Sequence, residues 1–227
     1  MGRVAEQRII AVAAAPAPAE LADLRFSALL GPADWARLPA TVRDRFAHRC
    51  APGAAISYTG HVAECRMSAA GWLLAQACRL IGAPLPLDRG GGLAAVVSVT
   101  EHAPSGGQTW TRIYARPGGF PQVIHSAKRF AGPTGLEEYL GLGFGIALRL
   151  EAGEDRIAFL SDHYFLRLGP VRLRLPRWLS PGQLRIDHLD DGAGRFRFVL
   201  NLRHALLGEL IHQVGHFADQ TPMGDPA

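Results

Sequence analysis

His212 and His216 stand four residues apart, a spacing that puts both rings on one side of either a helix or a strand. On a helix, such a pair ligates zinc when a further donor joins it and a glutamate lies between. Gln213, Val214 and Gly215 intervene here, so we read two partly exposed histidines and expect no metal. Two Asp-His steps, Asp162-His163 and Asp187-His188, carry the groups that general acid–base catalysis uses. Neighbours on a strand point opposite ways, so Asp187 and His188 cannot both face one ligand. The candidate catalytic residues are therefore His125 with Asp187, and His188 with an acid from another strand, while Arg185 is the expected ion partner of Asp187.

Other chemistry-bearing patterns are weaker. The adjacent acids Glu137-Glu138 and Asp190-Asp191 are read as solvating or capping turns, because a catalytic dyad needs convergence in a pocket. Gly-x-Ser-x-Gly does not occur, so no nucleophilic serine is marked. Gly141-Leu142-Gly143-Phe144-Gly145 lacks the helix and acidic ribose anchor of a dinucleotide site, and no cofactor is expected. Cys50, Cys65 and Cys78 form no CxxC and no zinc spacing; free thiols in a reducing cytoplasm are expected, with Cys78 in a buried helix.

Trp110, Arg112 and Tyr114 make the stripe with the most to offer a ligand. They share one face of a strand and could stack on, or clamp, a carboxylate or phosphate. The plainer alternative is a surface ladder in which the arginine covers the tryptophan.

The elements that would position these residues are strands. Arg195 to Leu202 alternates polar and apolar residues, with Phe196, Phe198, Leu200 and Leu202 on one face. Val171–Leu175 and Trp110–Tyr114 repeat that beat, and further strands are expected over Ala55–Val62, Leu93–Glu101, Thr109–Arg116, Gln122–Phe130, Phe144–Glu151, Ile157–Leu160, Tyr164–Leu168 and Leu184–Leu189. Gly-rich turns separate them. Two short helices precede them, between Leu24 and Phe46, and an apolar helix over Gly71–Gly82 should be buried or covered. The fold class is mostly β with a few helices (α+β). A curved antiparallel sheet closes into a barrel or half-barrel, with N-terminal helices and the apolar helix packed on or in it.

Residues 1–21 are read as a flexible leader, 22–218 as one domain and 219–227 as a tail. The apolar run Ile9–Ala15 ends at Pro16, far short of the ~20 residues of a membrane span. The net charge of +4 is small and spread along strands, which argues against nucleic acid as a partner.

Several phrases taken in order resemble one bacterial family, the domain of unknown function 4166. They are Phe26–Gly31 with Trp35, Leu38-Pro39 and Val42-Arg43; Trp72–Ile81 with Gly82-Ala83-Pro84; Trp110–Tyr114; Leu175–Pro181; Gly194–Phe198; and Leu207–Leu210. Together they span roughly residues 24–217. The resemblance implies a mostly β domain with no assigned chemistry, found alone or fused behind reductase-like domains, so a reductase-like partner protein is implied. It also implies a strand, not a helix, after Leu207-Gly208. In that strand Val214 replaces an expected basic residue, and an acid is favoured at Asp187.

Three functions follow from these residues. The first is a binding protein for a small apolar or amphipathic molecule, held in a cavity lined by Phe196, Phe198, Leu200, Leu173 and Leu148. Trp110, Arg112, Tyr114, His125 and Asp187 would supply its polar handles. The second is an isomerase, cyclase or hydrolase using a His/carboxylate pair in the same cavity. The third is an accessory module that docks on a protein partner through a flat apolar patch.

Overall fold

The computed structural model describes residues 20–219, so the leader up to residue 19 and the tail from residue 220 lie outside the described residues. The end of the expected leader is ordered: β1 (Glu20–Ala22) pairs antiparallel with β2 (His48–Cys50). Between them run three short helices where two were expected: α1 (Arg25–Leu30), α2 (Pro32–Arg37) and α3 (Ala40–Phe46). Gly31-Pro32 ends the first and Pro39 separates the other two, each proline falling where its missing N–H costs nothing. Phe26, Leu38, Val42 and Phe46 form the buried face of this helical group.

Eleven further strands follow. They are β3 (Ala55–Met67), β4 (Leu93–His102), β5 (Gly107–Tyr114), β6 (Gln122–Arg129), β7 (Leu136–Gly141), β8 (Phe144–Ala152), β9 (Arg156–Leu168), β10 (Val171–Arg174), β11 (Gln183–Gly192), β12 (Arg195–His204) and β13 (Gly208–Asp219). Ten of them close a barrel in which each strand pairs antiparallel with its neighbour. The circuit runs from β3 to β9 in sequence order, steps to β11, β12 and β13, and returns as β13 pairs with β3. β10 is a hairpin partner of β9 outside that circuit.

The final segment is a strand, as the resemblance implied. Two strand expectations differ from the structure. Ile157–Leu160 and Tyr164–Leu168 belong to one strand, β9, whose polar middle faces a register shift between Ala147 and Leu148. β7 falls in a segment that carried no strand signal, because two acids occupy its centre.

The ends of the barrel differ. The helices α1–α3 plug one end, where Phe26 and Phe46 stack against Phe159. The other end carries α4 (Ala69–Ala77) and a short 3-10 turn, Cys78–Ile81. Ser68 caps α4 by accepting a hydrogen bond from the Gly71 N–H at 3.1 Å. This apolar helix is not covered as expected: Trp72, Leu73 and Leu80 are exposed. Only one side of it packs, through Gly71 and Ala75, against β13. No described helix is long and apolar enough to cross a membrane.

Gly71 makes the seating of α4 possible, since a Cβ there would lie 1.9 Å from the Leu210 carbonyl oxygen. Gly71→Ala should therefore lower unfolding free energy by about 1–3 kcal/mol through forced displacement of the helix. Gly119→Ala, in open space, should change it by less than about 0.5 kcal/mol. Urea denaturation of both variants checks the contrast, and equal effects would refute the packing account.

Candidate functional site

Eight strands make a barrel just wide enough for side chains to fill, and width grows with strand number. Ten strands leave space, and this barrel encloses a cavity of about 480 Å³ that opens at the α4 end. Its wall is overwhelmingly apolar. Val97, Ile124, Ile146, Ile186, Phe198 and Leu200 come from the inward faces of the strands, and Leu74, Leu85 and Leu179 from the connections at the mouth.

The alternation on β5 turns Trp110, Arg112 and Tyr114 inward together, and all three line the cavity. They are not a surface ladder. Facing them from β6 and β7 are Lys128 and Glu138, paired in register and both buried. Arg112 donates to Glu138 Oε1 at 3.4 Å and to Ser126 Oγ at 3.2 Å. Lys128 donates to Glu138 Oε2 at 3.5 Å, its one hydrogen-bond acceptor among the described residues. Its ammonium also lies 4.8 Å from the Trp110 ring centre and 5.1 Å from that of Phe159. The Trp110 Nε1 is buried with no partner among the described residues.

Electrostatics follow from the apolar wall. Burial disfavours the Glu138 carboxylate, but Lys128 and Arg112 outweigh it and bring its pKa down to about 2. Burial lowers the pKa of Lys128, and the pull of Glu138 only partly offsets it. With Lys128 protonated, two cations face one carboxylate and spare donors point at apolar space. Tyr164, on the cavity wall, has its hydroxyl pKa raised by burial.

The other residues singled out from the sequence lie elsewhere. Phe196 is fully buried near the plugged end, beneath the cavity, packed on Phe217 and His188. Leu148 is buried but not part of the lining, and Leu173 is exposed on β10. His125 faces outward on β6 and shares a hydrogen bond with Thr111 at 3.1 Å. Asp187 is also on the outer face, held by Arg185 at 2.8 Å, with Arg156 at 3.9 Å. The expected His125–Asp187 pair is therefore not assembled, because the pleat turns both residues away from the interior. The partnership of Asp187 with Arg185 is formed.

His188 points inward but below the cavity, its ring against Phe46, Phe196 and Phe198. Arg45 can only donate, so His188 Nε2 accepts from it at 3.0 Å and the ring is neutral. Burial first, then Arg45 and Lys128, holds its pKa well below the usual value. Among the described residues no carboxylate meets it. His212 and His216 lie on the outer face of β13, against Asn201 and His61. The three cysteines are free; Cys78 is half-buried on the cavity wall and not in the helix interior.

Glu137 and Glu138 are not turn acids as expected: both sit buried in β7, Glu137 outward against Arg172 at 2.8 Å and Glu138 inward. Lys128 completes the site without belonging to any motif. Its signal was present, since it is the single lysine beside 23 arginines and shares strand parity with Ile124 and Ser126.

Fold and site together define an up-and-down β-barrel with a plugged floor, an open mouth and one ionic cluster in an apolar interior. The family model described as domain of unknown function (DUF4166) matches residues 38–217, and the chain belongs to that family. No curated protein and no solved structure matches it.

Removing Glu138 leaves the buried Lys128 and the half-buried Arg112 without their shared carboxylate, so Glu138→Gln should cost about 3–5 kcal/mol at neutral pH. The depressed pKa of Glu138 stabilises the fold above its ordinary value near 4.5, a contribution lost as pH falls toward about 2. The gap between wild type and Glu138→Gln should thus narrow by about 2 kcal/mol between pH 6 and pH 3. Denaturant titrations at the two pH values check this, and a constant gap would contradict it.

Proposed function

We propose that the protein binds a small amphipathic molecule with an anionic head and an apolar body inside the barrel. The observation that carries this reading is the Arg112–Lys128–Glu138 cluster, with spare donors on Lys128 and the orphaned Trp110 Nε1, inside a largely apolar cavity. A carboxylate head would give Lys128 a second acceptor beside Glu138 and offset the burial that disfavours its charge. The size of the cavity suits one small ligand. Trp110, Arg112, Tyr114 and Phe198 are the residues we assign to contact it. The reductase-like partner implied by the family resemblance would be a protein that supplies or consumes this ligand, in the cytoplasm.

The His/carboxylate enzyme reading finds no pair in the cavity among the described residues: His125 and Asp187 face outward, no acid meets His188, and the Asp162–His163 pair, joined at 2.6 Å, does not line the cavity. Lys128 favours a different second reading, in which its burial-favoured neutral amine condenses with an apolar carbonyl compound. Borohydride reduction with decanal would then add a decyl group at Lys128 specifically, and labelling confined to other amines would exclude it.

Calorimetric titration with decanoate, decanol and decyltrimethylammonium tests the main proposal. Decanoate should bind saturably and most tightly, and its affinity should fall as rising pH removes the Lys128 proton. Arg112→Gln should weaken it at least about tenfold, as expected for a lost charge-assisted hydrogen bond. Equal affinity for the three compounds, or no binding of decanoate, would overturn the proposal.

A further inference from the structure

The six connections at the open end of the barrel share a composition that the other end lacks. Each presents an exposed large apolar side chain at or beside its tip. Leu80 follows α4 at 82% exposure, Phe120 lies between β5 and β6 at 94%, and Leu142 between β7 and β8 at 71%. Leu168 closes β9 at 56%, Trp178 lies between β10 and β11 at 81%, and Leu206 between β12 and β13 at 89%. Leu142 also holds a left-handed backbone (φ 49°), a conformation costly for a leucine, in the turn that displays it. At the plugged end the connections 103–106, 153–155 and 193–194 contain no large apolar residue, Phe130 in the β6–β7 connection is half-buried under Arg25, and the exposed Leu24, with Leu21 and Leu29 near the margin, belongs to the N-terminal plug.

The charge at the mouth is one-sided. Residues 68–87, 115–121, 139–148, 164–184 and 201–208 contain no aspartate or glutamate. The same stretches hold exposed Arg79, Arg167, Arg177 and Arg203. The nearest acids are engaged, Asp88 with Arg116 and Glu209 with Arg66.

We propose that the mouth of the barrel docks on an anionic lipid bilayer, with the apolar tips among the acyl chains and the arginines at the headgroups. Trp and Arg suit that interface, and anionic headgroups attract clustered cations over about a Debye length. The inference builds on the cavity reading: an apolar rim continuous with an apolar interior gives an amphipathic molecule a route from bilayer to barrel that avoids water. A ring of separate protruding tips around an opening fits a deformable bilayer better than the flat face of a protein partner.

Co-sedimentation of the full chain with phosphatidylcholine vesicles, with and without phosphatidylglycerol, tests it. The protein should sediment with the phosphatidylglycerol vesicles, and less so as salt is raised. Trp178→Ala with Leu206→Ser should abolish sedimentation while leaving the melting temperature and decanoate affinity unchanged, since neither residue lines the cavity. Arg177→Gln and Arg203→Gln should each weaken binding roughly fivefold. Wild-type protein that stays in the supernatant would overturn the proposal, as would sedimentation indifferent to the Trp178 and Leu206 changes. So would a Trp178- and Leu206-dependent dimer in place of vesicle binding, which would assign the rim to a second copy. Decanoate binding without sedimentation would remove the docking and keep the cavity reading, whereas sedimentation without decanoate binding would keep the docking and remove the cavity reading.

Discussion

Pairing of β3 with β13 is the constraint on which the rest of this structure depends. The two strands come from opposite ends of the described chain, and their antiparallel register from Tyr58–Asp219 to Met67–Ile211 turns a long meander into a closed ring. Closure removes the sheet edges and sets the interior width, which for ten strands exceeds what side chains fill. A Cβ on Gly60 would lie 1.9 Å from the His216 carbonyl oxygen, so this joint is tight enough to need glycine. Three short helices then plug one end with phenylalanines, and the space that remains is the cavity.

Ions inside such a space are costly. Arg112, Lys128 and Glu138 persist there because each cation reaches the shared carboxylate and Ser126 accepts from Arg112. A well-packed apolar trio would often be as stable or more so, and buried charge is weak ground for stability. The cluster makes better sense as a recognition device, since its donors outnumber its acceptors and face apolar volume. On the outer surface the same residue types do something ordinary: Arg185 with Glu151 and Glu137 with Arg172 tie strands together.

Much of this was legible in period-two alternation. That beat grouped Trp110, Arg112 and Tyr114 on one face of β5 and Phe196 and Phe198 on one face of β12, but for β5 it left open whether that face turns to the cavity, where it lies, or to the surface. It could not separate wall from floor, which is why Phe196, on the same face, lies beneath the cavity. Nor could it find β7, because Leu136-Glu137-Glu138-Tyr139 is acidic where a strand centre is normally apolar, and the cations on β5, β6 and β10 make that tolerable. His125 shows the limit for function. Its type suggested chemistry, but its parity on β6 is odd against Ile124 and Ser126, which turns it to the outside. The apolar run Trp72–Ile81 predicts a buried or covered helix, since apolar surface is usually buried; its exposure depends on the barrel having a mouth, a property of the whole circuit.

The most direct test of the central claim is native mass spectrometry of the protein drawn gently from its source cells. The account predicts a noncovalent adduct of one small molecule that is released on denaturation as an anion with an apolar body. That adduct should be missing from Arg112→Gln prepared the same way. Protein that is only ever free of ligand, or an adduct that is cationic or indifferent to Arg112, would contradict the assignment of the barrel as a site for an amphipathic anion.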